Sequence, residues 1–184
     1  MQIFDLEGNI LLELEGELEG ANLRGLDLRH ANLRGANLVK ADLSGSILNS
    51  ADVEEADLQY AQLSGAIMEG LFCYYTRFDN ADLSGADLYS MWAFQASFRN
   101  ANLTQADLRG ADLKEVDFRG ADLTGANLGL DALGGETQVQ GADLRGALMS
   151  GSLLEGALYD SKTLFPEDFD PISRGMVLAQ EDTK

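Results

Sequence analysis

A five-residue period governs this chain. From Ala101 to Gly125 it reads ANLTQ ADLRG ADLKE VDFRG ADLTG: a small residue, Asp or Asn, Leu or Phe, then two polar or glycine positions. The same frame runs from Ala21 to Leu130 as 22 consecutive pentads. We call the third position the centre; Leu23, Leu28, Leu33, Leu38, Leu43, Leu83, Leu103, Leu123 and Leu128 occupy it. A fixed short period marks a repeat architecture and takes precedence over any local helix or strand assignment. Five residues suit neither the helical period of about 3.6 nor a simple two-residue alternation. The period works if each pentad is a short extended piece followed by a corner. The small residue and the centre, two apart, then both point inward, and the Asp or Asn between them points out. Glycine often fills the fifth position, as at Gly25, Gly45 and Gly110, where a corner can demand positive φ.

This order of residues resembles the pentapeptide-repeat family, A(D/N)LXX, over about four-fifths of the chain. The resemblance implies an all-β fold: a right-handed quadrilateral parallel β-helix in which four pentads close one 20-residue coil. About seven coils would follow, a rod on the order of 35 Å long at the usual strand spacing of about 4.8 Å. A 20-residue coil demands that side-chain types agree at that spacing. Three faces meet the demand. Phe78, Phe98 and Phe118 would stack as an internal column above Leu58 and Leu38. Ser44, Ser64, Ser84, Thr104 and Thr124 would form an outward hydroxyl ladder. On a third face the inward pair is exchanged, Leu71 with Cys73 and Met91 with Ala93, which conserves core volume.

The ends differ from the body. Residues 1–20 read as a capping segment: apolar runs at Ile3–Leu6 and Ile10–Leu14 flank a Glu7-Gly8-Asn9 turn. Leu12, Leu14 and Leu18 interleave with Glu13, Glu15, Glu17 and Glu19, as in a half-buried strand covering the open end of a solenoid. The repeat region is expected over 21–165. After Leu130 the frame continues through Asp131–Gly135 with Leu133 as a centre, then slips by one residue within 136–141. A corner bulge is the economical reading, and a small projecting loop at 134–141 is the alternative. The frame resumes at Ala142 with centres Leu144, Met149, Leu154, Tyr159 and Leu164. Residues 166–184 form a short C-terminal cap and tail, with Phe165 and Phe169 covering the last coil and fraying expected after Gly175.

Charge narrows the function classes. The net charge is −18, and residues 1–20 alone hold six acids and no base. The repeat body carries 15 acids against nine bases, so the ends are the denser regions. Net acidity disfavours direct nucleic-acid binding, which needs a basic footprint. No apolar run is long enough to span a membrane and the acidic N-terminus lacks a secretion pattern, so a cytoplasmic protein is expected.

Chemistry-bearing constellations are sparse, and no catalytic, cofactor-binding or metal site is assigned. His30 is the single histidine and sits at a corner. Cys73 is the single cysteine and sits at a core centre, where it reads as buried filler. Asp42, Asp82 and Asp122 share a face, but Gln62 and Asn102 alternate with them and the calcium-repeat signature is absent. An enzyme is not expected, nor is a small-molecule ligand.

One stretch breaks the outward polarity. Phe72 and Tyr74 flank Cys73, Tyr75 follows at the corner, and Trp92 and Phe94 flank Ala93. At 20-residue spacing Phe72 stacks beside Trp92 and Tyr74 beside Phe94, with Asp52 and Glu54 one coil before and Asp112 and Lys114 one coil after. An aromatic patch with a charged rim has the anatomy of a partner site. Two other readings stay open: the rings only brace the sheet, or a local slip turns Phe72 or Phe94 inward. Ile47 and Ile67 take the same outward position on the preceding face, near Tyr89.

The leading expectation is a non-catalytic interaction protein that binds a protein partner or itself through Phe72, Tyr74, Tyr75, Trp92 and Phe94. The terminal sequences, ALYDSKTLFPEDFDP above all, resemble those of cyanobacterial members of the family. A second expectation, also implied by the resemblance, is a DNA mimic acting on DNA gyrase. Acidity and rod shape fit it, but Arg24, Arg29, Arg34, Arg99, Arg109 and Arg119 interrupt the negative field and no C-terminal apolar helix is apparent. A structural solenoid with no specific site is the third.

Overall fold

A computed structural model describes residues 2–179. Each pentad of the body has one local structure: an extended piece with a single bridged residue, then a turn. The bridged residue is the outward second position, and it pairs in parallel with the residue 20 later, Asn22 with Asp42, Asp42 with Gln62, Gln62 with Asp82 and onward. Four pentads therefore make one coil. The chain winds into a β-solenoid whose hydrogen bonds run between successive coils. Asp42 donates its main-chain N–H to the Ala21 carbonyl of the coil before (2.9 Å), and Leu43 donates to the Gln62 carbonyl of the coil after (2.7 Å).

The corner explains two further positions of the repeat. The small residue donates its N–H to the preceding centre's carbonyl, as Ala41 does to Leu38 at 3.0 Å, closing a β-turn. The fifth residue takes the third place of that turn with positive φ, as type II turns require. Gly45 has φ +64°, with nothing near the place a Cβ would occupy. Non-glycine residues accept the same conformation, including His30, Lys40, Tyr60 and Tyr75, each with φ close to +60°. Left-handed backbone costs an ordinary residue about 1 kcal/mol or more, which explains the glycines elsewhere.

Small residues and centres fill a narrow, continuous core. Phe78 and Phe98 stack with centroids 4.7 Å apart, and Phe98 and Phe118 at 5.3 Å. Leu71, Cys73, Met91 and Ala93 are all fully buried, as the exchanged pairs require. Where a hydroxyl takes the small position it finds a backbone acceptor: Ser46 donates to the Leu43 carbonyl and Thr76 to the Val53 carbonyl, both at 2.7 Å.

The N-terminal segment contains a hairpin, with strands β1 (Gln2–Asp5) and β2 (Ile10–Glu13) antiparallel. Its placement differs from the expected strand across the open end. Regular strand stops at Glu13, and β1 instead pairs antiparallel with β3 (Ala31–Asn32), on the edge of the first coil. Leu12 and Leu14 still pack half-buried on the core, and Leu18 is buried.

Two frame assignments near the C-terminus need correction. Asp112 bridges Gln138 and Asp117 bridges Asp143, a spacing of 26 rather than 20. Six residues, Asp131–Glu136, are thus extruded, and Leu133 is 93 % exposed rather than a core centre. The extrusion is a projecting loop that begins at Asp131, ahead of the stretch 136–141 in which the slip was expected. Thr137 and Val139 resume the buried pair. Further on, Asp143 bridges Leu164 at a spacing of 21, so Leu164 faces out and Thr163 takes the buried small position. Nor does the chain fray directly after Gly175. Met176 is buried, and Val177–Leu178 (β5) pairs in parallel with Leu158–Tyr159 (β4). Residues 180–184 of the expected tail lie outside the described residues. Phe165 and Phe169 stack at 5.1 Å and pack against the core.

Candidate partner-binding face

The face carrying the bridged column Asn32, Asp52, Phe72, Trp92, Asp112 and Gln138 is where the aromatic residues gather. Phe72 and Trp92 are a direct bridge pair. Trp92 donates its main-chain N–H to the Leu71 carbonyl at 2.9 Å and accepts from the Cys73 N–H at 2.9 Å. Both residues therefore hold the outward second position, and the frame does not slip here. Trp92 is 46 % and Tyr75 54 % exposed, while Phe72, Tyr74 and Phe94 are half-buried. Tyr74 was expected to meet Phe94, but the ring contact runs from Tyr75 to Phe94, edge to face at 6.3 Å. The left-handed backbone at Tyr75 carries its side chain off the corner, which places its ring beside the next coil.

Charge flanks the rings on both sides. One coil before, Glu55 donates its main-chain N–H to the Tyr74 carbonyl at 3.0 Å, and Asp52 bridges Phe72. Arg34 reaches across from the preceding coil to Glu54 and, at 2.8 Å, to Glu55. One coil after, Asp112 bridges Trp92 and pairs with Lys114 at 3.3 Å. Gln95 donates its side-chain amide to Glu115 at 2.6 Å. Partial burial, together with Asp112 and Glu54, pushes the Tyr74 hydroxyl above its ordinary pKa. Beneath the rings, burial pushes the Cys73 thiol well up, and its S–H donates to the Trp92 carbonyl at 3.2 Å.

Away from this face the outward carboxylates serve the backbone. Asp42 accepts the Ser44 N–H at 3.0 Å, and Asp82 accepts that of Ser84 at 3.0 Å. Asp107 holds the Arg109 N–H at 3.2 Å and also pairs with its guanidinium at 2.6 Å. Among the described residues no group of three or more His, Cys, Asp or Glu could hold a metal ion. No helix of the described residues is long and apolar enough to cross a membrane.

Sequence reasoning missed a second apolar region. Leu148 and Leu153, each 58 % exposed, replace the outward Asp in the pentads ALMSG and SLLEG. The second pentad position carried this signal, since Leu stands there instead of Asp or Asn. Beside Leu153 lies an open cleft of about 470 Å³ lined by Arg109, Leu130, Leu154, Glu155 and Arg174.

The family model for pentapeptide repeats matches residues 17–49, 36–71, 56–90 and 94–129, with eight copies. A comparison with curated proteins gives no match. Among solved structures, alr5209, a pentapeptide repeat protein from Nostoc PCC 7120, is 31 % identical, with 78 % of this chain and 84 % of that chain covered (TM-score 0.23). HetL, a pentapeptide repeat protein involved in heterocyst differentiation regulation from the cyanobacterium Nostoc sp. strain PCC 7120, is 23 % identical, with 88 % and 87 % covered (TM-score 0.41). A trypsin-treated form of QnrB1, a plasmid-mediated fluoroquinolone resistance protein, is 14 % identical, with 88 % and 92 % covered (TM-score 0.55). That last likeness concerns the fold alone. With 20-residue coils built of A(D/N)LXX units and a family match over more than half its length, the chain belongs to the pentapeptide-repeat family.

Proposed function

We propose that this chain is a non-catalytic, cytoplasmic interaction protein whose aromatic face binds a protein partner or a second copy of itself. The scaffold we infer is a right-handed quadrilateral β-helix of about seven coils, with its hairpin and C-terminal turns as caps. One observation carries the reading. Trp92 is 46 % exposed at a position that most pentads of the body fill with Asp, Asn or another polar residue, and it is bridged to a second aromatic residue, Phe72, on the neighbouring coil. Bracing alone would be served by covered rings, whereas exposed Trp and Tyr beside half-buried Phe match the centre of a binding surface. Affinity capture from the native host tests it, using wild type and a Trp92→Ser/Phe94→Ser variant. The reading expects a partner, or self-association, that the variant loses. Equal capture by both proteins would reject it.

The DNA-mimic alternative has weaker support. Arg29, Arg109, Arg119 and Arg145 each pair with the carboxylate two residues earlier in the chain, which neutralises stretches of the faces a duplex mimic would need negative. A supercoiling assay on DNA gyrase with and without quinolone tests it; neither inhibition nor protection would remove it.

A further inference from the structure

The aromatic face is bordered by more negative than positive charge, and this says what kind of partner segment fits it. The coils on either side contribute five carboxylates, Asp52, Glu54, Glu55, Asp112 and Glu115, against the two cations Arg34 and Lys114. Both cations are already committed to carboxylates within the rim, Arg34 to Glu54 and Glu55 and Lys114 to Asp112. The face therefore keeps a net negative rim around exposed π surfaces. Aromatic faces attract cations through their quadrupole, and nearby carboxylates strengthen that attraction. An anionic segment would add like charge to that rim, and a purely apolar one would desolvate its excess negative charge without a countercharge.

We propose that the face takes a basic segment of a protein partner, whose arginine or lysine side chains lie over Trp92 and Tyr75 between the carboxylates of the flanking coils. This rests on the aromatic face being a binding surface at all. Arginine is the better fit, because its planar guanidinium can stack on a ring while donating to a carboxylate. Burial is the main cause of the upward shift at Tyr74, and Asp112 and Glu54 add to it.

Trp92 is the only tryptophan, so its fluorescence reports this site directly. The experiment titrates the full chain with a short oligoarginine peptide and, in parallel, with an oligoglutamate peptide. Wild type is compared with Tyr75→Ser/Phe94→Ser and with Glu55→Gln/Glu115→Gln, all folded by circular dichroism. The proposal expects saturable change of Trp92 emission with oligoarginine only. It expects binding about tenfold weaker in the aromatic variant, and weaker with a flatter salt dependence in the glutamine variant. Equal affinity across the three proteins would mean that the peptide follows net charge alone, and would overturn the proposal. A response to oligoglutamate instead would also overturn it. If a partner captured through Trp92 and Phe94 ignores both salt and the glutamine changes, the basic-segment proposal fails while the aromatic-face reading stands. If the Trp92→Ser/Phe94→Ser variant retains every partner, the reading itself fails.

Discussion

Asp42 Oδ1 accepts the main-chain N–H of Ser44 at 3.0 Å, and the same contact recurs from Asn102 to Thr104 (3.1 Å) and from Asp122 to Thr124 (2.9 Å). The outward acid of the repeat is thus a turn device as well as a solvated surface group, which is why Asn substitutes for Asp there and Ala does not. The hydroxyl and N–H of Ser44 hold the Asp42 carboxyl below its ordinary range. Asp42→Ala is expected to cost about 1 kcal/mol and Asp42→Asn a few tenths at most, read from chemical denaturation of both variants. Equal losses would show that charge rather than the acceptor matters.

Acid should unfold the chain through these carboxylates. Burial alone would raise the Asp117 carboxyl, but hydrogen bonds from Arg119 and Arg99 outweigh it and hold it at about 2. Asp27, Asp107 and Asp143 are likewise held down, chiefly by the arginine two residues on. Each folded value lies below the unfolded value. Their stabilisation is therefore complete above about pH 4 and is lost as pH falls through the region from about 4 to about 2. The thermal midpoint should drop across that window, and Asp117→Asn should make the drop shallower. An unchanged slope in that variant would contradict the assignment.

The interior column is the least forgiving place to lose volume. Phe98 lies between Phe78 and Phe118 and is fully buried. Phe98→Ala should cost about 3–5 kcal/mol, because the rigid coils above and below cannot collapse into the space. Phe98→Leu should cost well under half of that, since Leu58 and Leu38 fill the same column lower down.

At the corners backbone conformation, not space, sets the outcome. Gly45→Ala meets nothing within 4 Å yet must hold φ +64°, so a loss of about 1 kcal/mol is expected. Lys40→Gly, at φ +59°, should gain stability by less than that. Thermal midpoints of the two variants moving in the same direction would contradict this account.

The body from Ala21 to Leu130 was legible because inward and outward positions alternate in fixed register and glycine marks many corners. The two frame errors share one physical cause. Asp131-Ala132-Leu133-Gly134-Gly135 looks like a pentad, and the true continuation, Thr137-Gln138-Val139, starts with a hydroxyl. Thr137 can be buried because the Leu108 and Gly129 carbonyls, at 3.1 and 3.2 Å, both lie within reach of its single O–H. Thr163 displaced Leu164 in the same way, donating to the Val139 carbonyl at 3.1 Å. A buried threonine depends on a carbonyl from another coil, and the sequence does not display that partner. At the aromatic face, the outward placement of Phe72 and Trp92 was legible, since both sit at the second position of unbroken pentads. The Tyr75–Phe94 contact was not, because it depends on where a left-handed corner sends its side chain.

The central claim is that partner binding covers Trp92. Its emission and its quenching by acrylamide can be measured on the free chain, on the chain at increasing concentration, and on the chain with its captured partner. The account predicts a shift to shorter wavelength and reduced quenching when the partner, or a second copy, is bound. A bound state in which Trp92 emits and quenches as it does in the free chain would contradict it.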